Sequence, residues 1–257
     1  MGKIIAITNQ KGGVGKTTTS VNLAAALAYL NKKVLLIDID PQANATQGIG
    51  IDRLKMNGSI YDLIVNESEI TDVILKSNVP NLDVVPSSID LAGADLELAE
   101  VKVGRERRLK EQLALVRDNY DYLLIDCPPS LGLLNTNALT ASDTVIMPVQ
   151  CEYYALEGLS QLIYTINLVK DRLNPRLQID GVVFTMYDGR TNLSLQVIEN
   201  VRENLDHKIY NTIIPRSVRL AEAPSYGLPI SIYDSKSTGA KAYRALAEEM
   251  IEKGDEK

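Results

Sequence analysis

The sequence predicts an α/β fold, a mostly parallel, twisted β-sheet with helices on both faces. Three observations carry this. Short runs rich in Val, Ile and Leu alternate with longer segments of helical periodicity, as repeated βα units do. Several of the short runs are apolar at consecutive positions, such as Val34-Leu35-Leu36-Ile37, which suits strands covered on both sides rather than strands with one wet face. The first run passes directly into a glycine-rich turn and then a helical pattern, all within residues 4–19.

Taken in order, strands are expected at residues 3–8, 33–38, 82–86, 122–126, 144–149, 181–185 and 208–214. Between them, Lys16–Tyr29 places Val21, Ala24, Ala25 and Ala28 at helical spacing, and these side chains are small enough to lie close on a sheet. Residues 109–117 and 156–173 read as further helices, and 240–252 as an amphipathic one ahead of the tail Gly254-Asp255-Glu256-Lys257. Residues 48–77 are the least regular stretch. No linker, low-complexity tract or internal repeat interrupts the pattern, so a single domain over 1–257 is expected.

Composition narrows the function. Trp is absent and Phe occurs once, which removes aromatic stacking as the main binding device. A structural zinc site needs about four nitrogen or sulfur ligands; two cysteines without close spacing and one histidine do not supply them. The first residues run straight into a strand without a signal-peptide pattern, and no window reaches the ~18–20 apolar residues of a membrane span. A cytoplasmic protein without membrane contact is therefore expected. The net charge of −6 speaks against a generally basic nucleic-acid binder, so any such contact has to come from local patches.

The turn after the first strand reads Lys11-Gly12-Gly13-Val14-Gly15-Lys16-Thr17-Thr18. Glycines let successive backbone N–H groups face inward, and such a nest at the positive end of a helix binds phosphate oxygens. In that setting Lys16 reaches the β- and γ-phosphates and the Thr17 hydroxyl serves Mg²⁺, with the rest of the loop, Thr18 included, lining the nucleotide. Two apolar strands end in carboxylates, one at Asp38-Ile39-Asp40-Pro41 and one at Asp126-Cys127-Pro128-Pro129. Ligands gather at the carboxyl ends of parallel strands. Asp126 fits a Mg²⁺-site aspartate. Asp38 and Asp40 both lie near the site; the alternative for Asp40 is an Asx turn before Pro41.

The loop departs from the common phosphate-loop pattern, with Gln10 where a glycine is usual and a second lysine, Lys11, at its start. In this it resembles the deviant Walker A motif of the ParA/MinD family of P-loop ATPases. The resemblance extends over essentially the whole chain. Asp38-Ile39-Asp40-Pro41-Gln42-Ala43-Asn44, Asp126-Cys127-Pro128-Pro129-Ser130-Leu131-Gly132, the run from Val149 to Gly158 and the run from Ile214 to Pro224 all look like the chromosomal ParA (Soj) branch. It implies ATP or ADP with Mg²⁺ as cofactors. It also implies that Lys11 reaches across a dimer interface to the partner's phosphates and that Asp40 serves the attacking water, with Asp38 as support. Pro215 and Ser217 would lie against adenine, and Arg190 and Arg219 would touch DNA phosphates. An ATP-dependent homodimer on non-specific double-stranded DNA, released when a ParB-type centromere-binding protein stimulates hydrolysis, is the implied cycle, located at the nucleoid.

Charge along the chain is compatible with this. Residues 208–244 hold six basic side chains against two acidic, and residues 101–117 again six against two. Only nine residues precede Gln10, so no sequence-reading DNA domain is expected there. A membrane-positioning relative would need a basic amphipathic C-terminal helix, and the run 247–253 is acidic. A redox relative holding an iron–sulfur cluster would need glycine-rich flanks that neither Cys127 nor Cys151 has. A ParA-like ATPase with a cargo other than a chromosome would share all of the chemistry.

Overall fold

The computed structural model describes residues 1–53, 56–66, 68–152 and 155–255. Among these, β1 (Lys3–Ile7), β2 (Val34–Asp38), β3 (Leu75–Lys76), β4 (Leu82–Val85), β5 (Tyr122–Asp126), β6 (Thr144–Gln150) and β7 (Gln178–Thr185) form one sheet in the order β3-β4-β2-β5-β1-β6-β7. Neighbours run parallel except at one edge, where the two-residue β3 pairs antiparallel with β4. The expected fold class is what the chain adopts.

Helices connect the strands: α1 (Lys16–Tyr29), α2 (Asn44–Gly48), α3 (Ile60–Ile64), α4 (Ile70–Val73), α5 (Ala94–Glu100), α6 (Arg108–Val116), α7 (Leu133–Ala141), α8 (Ala155–Arg172), α9 (Asn192–Asn204), α10 (Val218–Glu222), α11 (Ile230–Tyr233) and α12 (Thr238–Asp255). Strand alternation divides the core in two. Leu35, Ile37, Leu123 and Ile125 face one side, under α6, α7 and α8. Ile5, Ile7, Leu36 and Leu124 face the other, where α1 and α12 cover them. Both faces are dry, which is why these strands read as unbroken apolar runs.

The register matters for chemistry. Asp38 at the end of β2 stands opposite Asp126 at the end of β5, and Ile7 at the end of β1 stands opposite the same Asp126. Three central strands therefore stop level with one another, and the segments leaving them gather beyond their carboxyl ends.

One expected strand is absent. Residues 208–214 form no strand, only an extended segment beside β7, with bonds at Tyr210 N to Val182 O (2.9 Å) and Ile214 N to Phe184 O (2.8 Å). The ladder is interrupted because Glu249 of α12 takes the intervening amides: Asn211 N and Thr212 N donate to its two carboxylate oxygens at 2.8 and 2.9 Å. A side chain thus closes the sheet edge that a further strand would have left open. The structure adds β3 and the helices α2 to α5, α7 and α9 to α11, which the pattern did not mark. Tyr153 and Tyr154 of the Val149–Gly158 run, and Glu256 and Lys257 of the acidic tail, lie outside the described residues. No helix among the described residues is long and apolar enough to cross a membrane.

Candidate active site

Beyond β1 the chain leaves the sheet through Thr8 and Asn9, both buried. Asn9 fixes the entry to the loop: its amide donates to Pro148 O at 2.7 Å, and its carbonyl oxygen accepts from Lys11 N at 3.0 Å. Gly13 (φ 75°) and Gly15 (φ 86°) take left-handed conformations that other residues adopt at a cost, whereas Gly12 does not. Val14 is buried, and its carbonyl accepts the Thr185 hydroxyl at 2.8 Å, tying the loop to β7. Gly15 caps α1 without any side-chain cap and no acidic residue sits in the first turn, so the amides there point at whatever anion lies above them.

The two loop lysines are placed differently. Lys16 is buried and folds back so that its ammonium donates to Lys11 O at 3.1 Å. Burial lowers its pKa, while Asp126, Cys127 and Asp40 act in the opposite sense. Lys11 pairs with Glu152 at 2.5 Å, each side chain a little over 40% exposed (43% and 44%). One cation belongs to the loop and the other stands at its rim.

The carboxylates sort themselves by hydrogen bonding. Asp38 has both oxygens engaged: Oδ2 accepts from Thr46 N (2.8 Å) and Thr46 Oγ1 (2.7 Å), and Oδ1 from Asp40 N (3.2 Å). Asp40, two residues past the ladder, accepts Gln42 N on Oδ1 at 2.9 Å, and no bond to its second oxygen is seen among the described residues. The Asx turn and a spare carboxylate oxygen thus coexist. Asp126 is wholly buried, accepts the Ser20 hydroxyl on Oδ1 at 2.7 Å, and has no partner for Oδ2. Burial, then the neighbouring Asp38, raises the pKa of Asp126, and the Ser20 and Thr17 hydroxyls oppose the shift. A buried carboxylate oxygen without a partner, beside the Thr17 hydroxyl, suits a hard cation that takes oxygen ligands. Cys127 is buried with its thiol pKa pushed up, and Cys151 is buried with a pKa pushed up to about 11, so both are protonated thiols.

A cavity of about 210 Å³ opens beside the loop, and Gly15, Thr18, Thr185, Pro215 and Ser217 line it. The two residues expected at adenine therefore meet the phosphate loop in one space. Arg190 and Arg219 sit at the surface, with 85% and 57% of their side chains exposed. The segments carrying them are joined where Tyr187 bridges Pro215. Both are engaged by acids: Arg190 with Asp188 at 2.6 Å, Arg219 with Glu222 at 3.1 Å and Asp234 at 3.6 Å. In the basic runs, Arg105 pairs with Glu106, Arg117 with Asp143 and Arg244 with Glu248. Much of the positive charge that is contiguous in sequence is compensated in space.

Several residues at the site lie outside the sequence motifs. Ser20 comes four positions after Lys16 on α1, so helical spacing points to it. Asn9, Ser87 and Thr185 carry no such signal, because Pro148, Asp40 and Val14, which they bond, are distant in sequence; Thr46 lies eight positions after Asp38, and Glu152 falls inside the Val149–Gly158 run but bonds the distant Lys11.

A family model described as an AAA domain matches residues 2–179. The chain is 59% identical to the sporulation initiation inhibitor protein Soj of Bacillus subtilis (strain 168), over 99% of this chain and 100% of that protein. It is 50% identical to the chromosome-partitioning ATPase Soj of Treponema pallidum (strain Nichols), over 98% of each. Among solved structures, the cobyrinic acid a,c-diamide synthase of Mycobacterium smegmatis with bound ADP and magnesium superimposes with a TM-score of 0.86. It is 37% identical and covers 98% of this chain and 94% of that one. Identity at this level over nearly the full length, together with a nest that carries both lysines and aspartates at the carboxyl ends of the central strands, places the chain in the ParA/Soj family of partitioning ATPases.

Proposed function

We propose that the chain is a chromosome-partitioning ATPase that binds MgATP, pairs with a second copy of itself and, so paired, holds DNA without sequence preference. The observation that supports this most is the division between the two lysines. Lys16 supplies a cation to the phosphates from inside the loop. Lys11 sits at the rim on an exposed ion pair, where it is available to a nucleotide held by a facing protomer.

In this reading the amides of the loop from Gly12 to Thr18 and the Lys16 ammonium hold the phosphates, and Pro215 and Ser217 bound the base. Thr17 and Asp126 would hold Mg²⁺, and the ion would supply neutralisation of phosphate charge. Asp40 turns its spare oxygen to the attacking water, orients it and accepts its hydrogen bond. Lys11 of the partner subunit adds charge stabilisation that exists only in the dimer, which ties hydrolysis to assembly. Arg190 and Arg219 contact DNA phosphates; pairing two protomers doubles a patch that is weak in one. A ParB-type protein stimulates hydrolysis and resets the cycle, so the protein works in the cytoplasm at the nucleoid, over the range 1–257 as a single unit.

Size-exclusion chromatography with light scattering tests the core of this. Asp40→Ala is expected to run as a dimer with MgATP and as a monomer with ADP, and to retard DNA only in the first state. A monomer under both conditions at tens of micromolar protein would sink the reading.

A further inference from the structure

Around Asp40 the structure contains a closed circuit of hydrogen bonds that neither the family motif nor phosphate and Mg²⁺ binding requires. The Ser87 hydroxyl donates to Asp40 O at 2.7 Å. The Ser87 amide donates to Thr46 Oγ1 at 2.9 Å. Thr46 donates to Asp38 Oδ2 through both its hydroxyl and its amide, and Asp40 N returns to Asp38 Oδ1. Asp38, Thr46 and Ser87 are completely buried and Asp40 nearly so. Four residues from three elements, the end of β2, α2 and the segment after β4, thus close one ring away from water, where each bond counts for more than at a surface.

The ring encloses a strained segment. Ala43, between Asp40 and α2, has φ 54°, a left-handed conformation that a residue with a Cβ holds only when its surroundings impose it. From the outside, Arg53 clamps the same segment, donating to Gln42 O and Ala43 O at 2.9 Å each. The Asp40 carboxylate therefore projects from a backbone that is fixed on both sides and anchored to Asp38 below. Asp38 engages both its carboxylate oxygens in this anchoring.

From this circuit we infer that Ser87 is a positioning residue for hydrolysis: its hydroxyl fixes the Asp40 backbone, and with it the direction of the spare carboxylate oxygen, while Thr46 passes the constraint on to Asp38. The inference rests on the reading of Asp40 as the residue that orients water. Ser87→Ala deletes the bond to Asp40 O and leaves the Ser87 amide on Thr46. Near-attack geometry is steeply sensitive to small displacements, so kcat falls at least tenfold. ATP affinity, which depends on the loop and not on Asp40, stays within twofold.

A double-mutant cycle on single-turnover hydrolysis, with enzyme in excess over ATP, decides it. If Ser87 acts through Asp40, then Ser87→Ala costs nothing once Asp40 is gone, and Asp40→Ala and Asp40→Ala/Ser87→Ala share one rate within twofold. Equal further losses from Ser87→Ala in both backgrounds would overturn the inference, as would a Ser87→Ala enzyme with full kcat and only a lower melting temperature. Ser87→Cys, close in size and a weaker donor, keeps the question open to measurement if the alanine variant folds poorly; its kcat is expected between those of wild type and Ser87→Ala, and a wild-type rate counts against positioning. The two readings fail separately. An active Asp40→Ala enzyme removes the role of Asp40 and the inference with it, whereas an inactive one beside a fully active Ser87→Ala removes the inference alone.

Discussion

Glu152→Gln is expected to tighten the ATP-driven dimer, because the wild-type protein must give up a contact to form it. In the protomer Lys11 is held by Glu152 at 2.5 Å, and its proposed destination is the nucleotide of a facing copy. Both side chains are more than 40% exposed (43% and 44%), so the pair belongs with surface ion pairs and not with buried ones. Such pairs contribute about 0.2–1 kcal/mol each. Two protomers surrender one pair apiece, so the dimer carries a penalty of about 0.4–2 kcal/mol, or roughly twofold to thirtyfold in its dissociation constant. Glutamine keeps the shape and removes the charge. Sedimentation equilibrium with MgATP, in an Asp40→Ala background that blocks turnover, measures the constant directly. The gain should shrink as salt rises from about 50 to about 500 mM in the buffer, since exposed pairs are screened. A dimer that is unchanged or weaker in Glu152→Gln at low salt would refute the idea that Lys11 is restrained by its own chain.

Three further outcomes are expected. Burial raises the carboxyl pKa of Asp126 and of Asp38 above the unfolded value, so the nucleotide-free protein binds protons on folding and loses stability as pH rises from about 4 through neutrality; Asp126→Asn flattens that slope in thermal melts, and a slope unchanged by the substitution would contradict the assignment. Gly13→Ala forces a Cβ into φ 75° and costs about 1–2 kcal/mol in urea unfolding, whereas Gly12→Ala, outside the left-handed region and with nothing within 4 Å of the added carbon, is neutral or slightly stabilising; equal losses at both positions would show that backbone conformation is not what distinguishes them. Arg219→Ala leaves ATP-driven dimerisation intact and lowers the salt slope of DNA binding by about one per protomer; an undiminished slope in filter binding removes Arg219 from the DNA surface.

What the sequence discloses about this site depends on how far apart the interacting groups lie along the chain. The phosphate loop is legible because strand, nest and helix are consecutive, and the strand-end aspartates are legible because a polar residue closing an apolar run is a local event. The sheet class is legible for the same reason, since dry faces leave unbroken Val, Ile and Leu. The segment 208–214 misled because its composition is that of a strand, while Glu249 on α12, which takes its amides, lies far along the chain. Pairing of Arg219 with Asp234 and of Lys11 with Glu152 likewise changes what a basic run or a loop lysine means, and nothing in their spacing announces it.

Asp38 and Asp40 show the limit most clearly. Read along the chain, a period of two puts both on one side and gives no ground for preferring either. The fold separates them by where the ladder stops. Asp38 is the last paired residue of β2, opposite Asp126, and sits where Thr46 can reach it. Asp40 lies past the sheet, where the chain must turn, and the turn itself takes one of its oxygens. The end of a parallel strand is set by its neighbours, here β5 and β4, as much as by its own residues. A carboxylate near a strand end can therefore be an anchor or a free group, and the partner strands decide which.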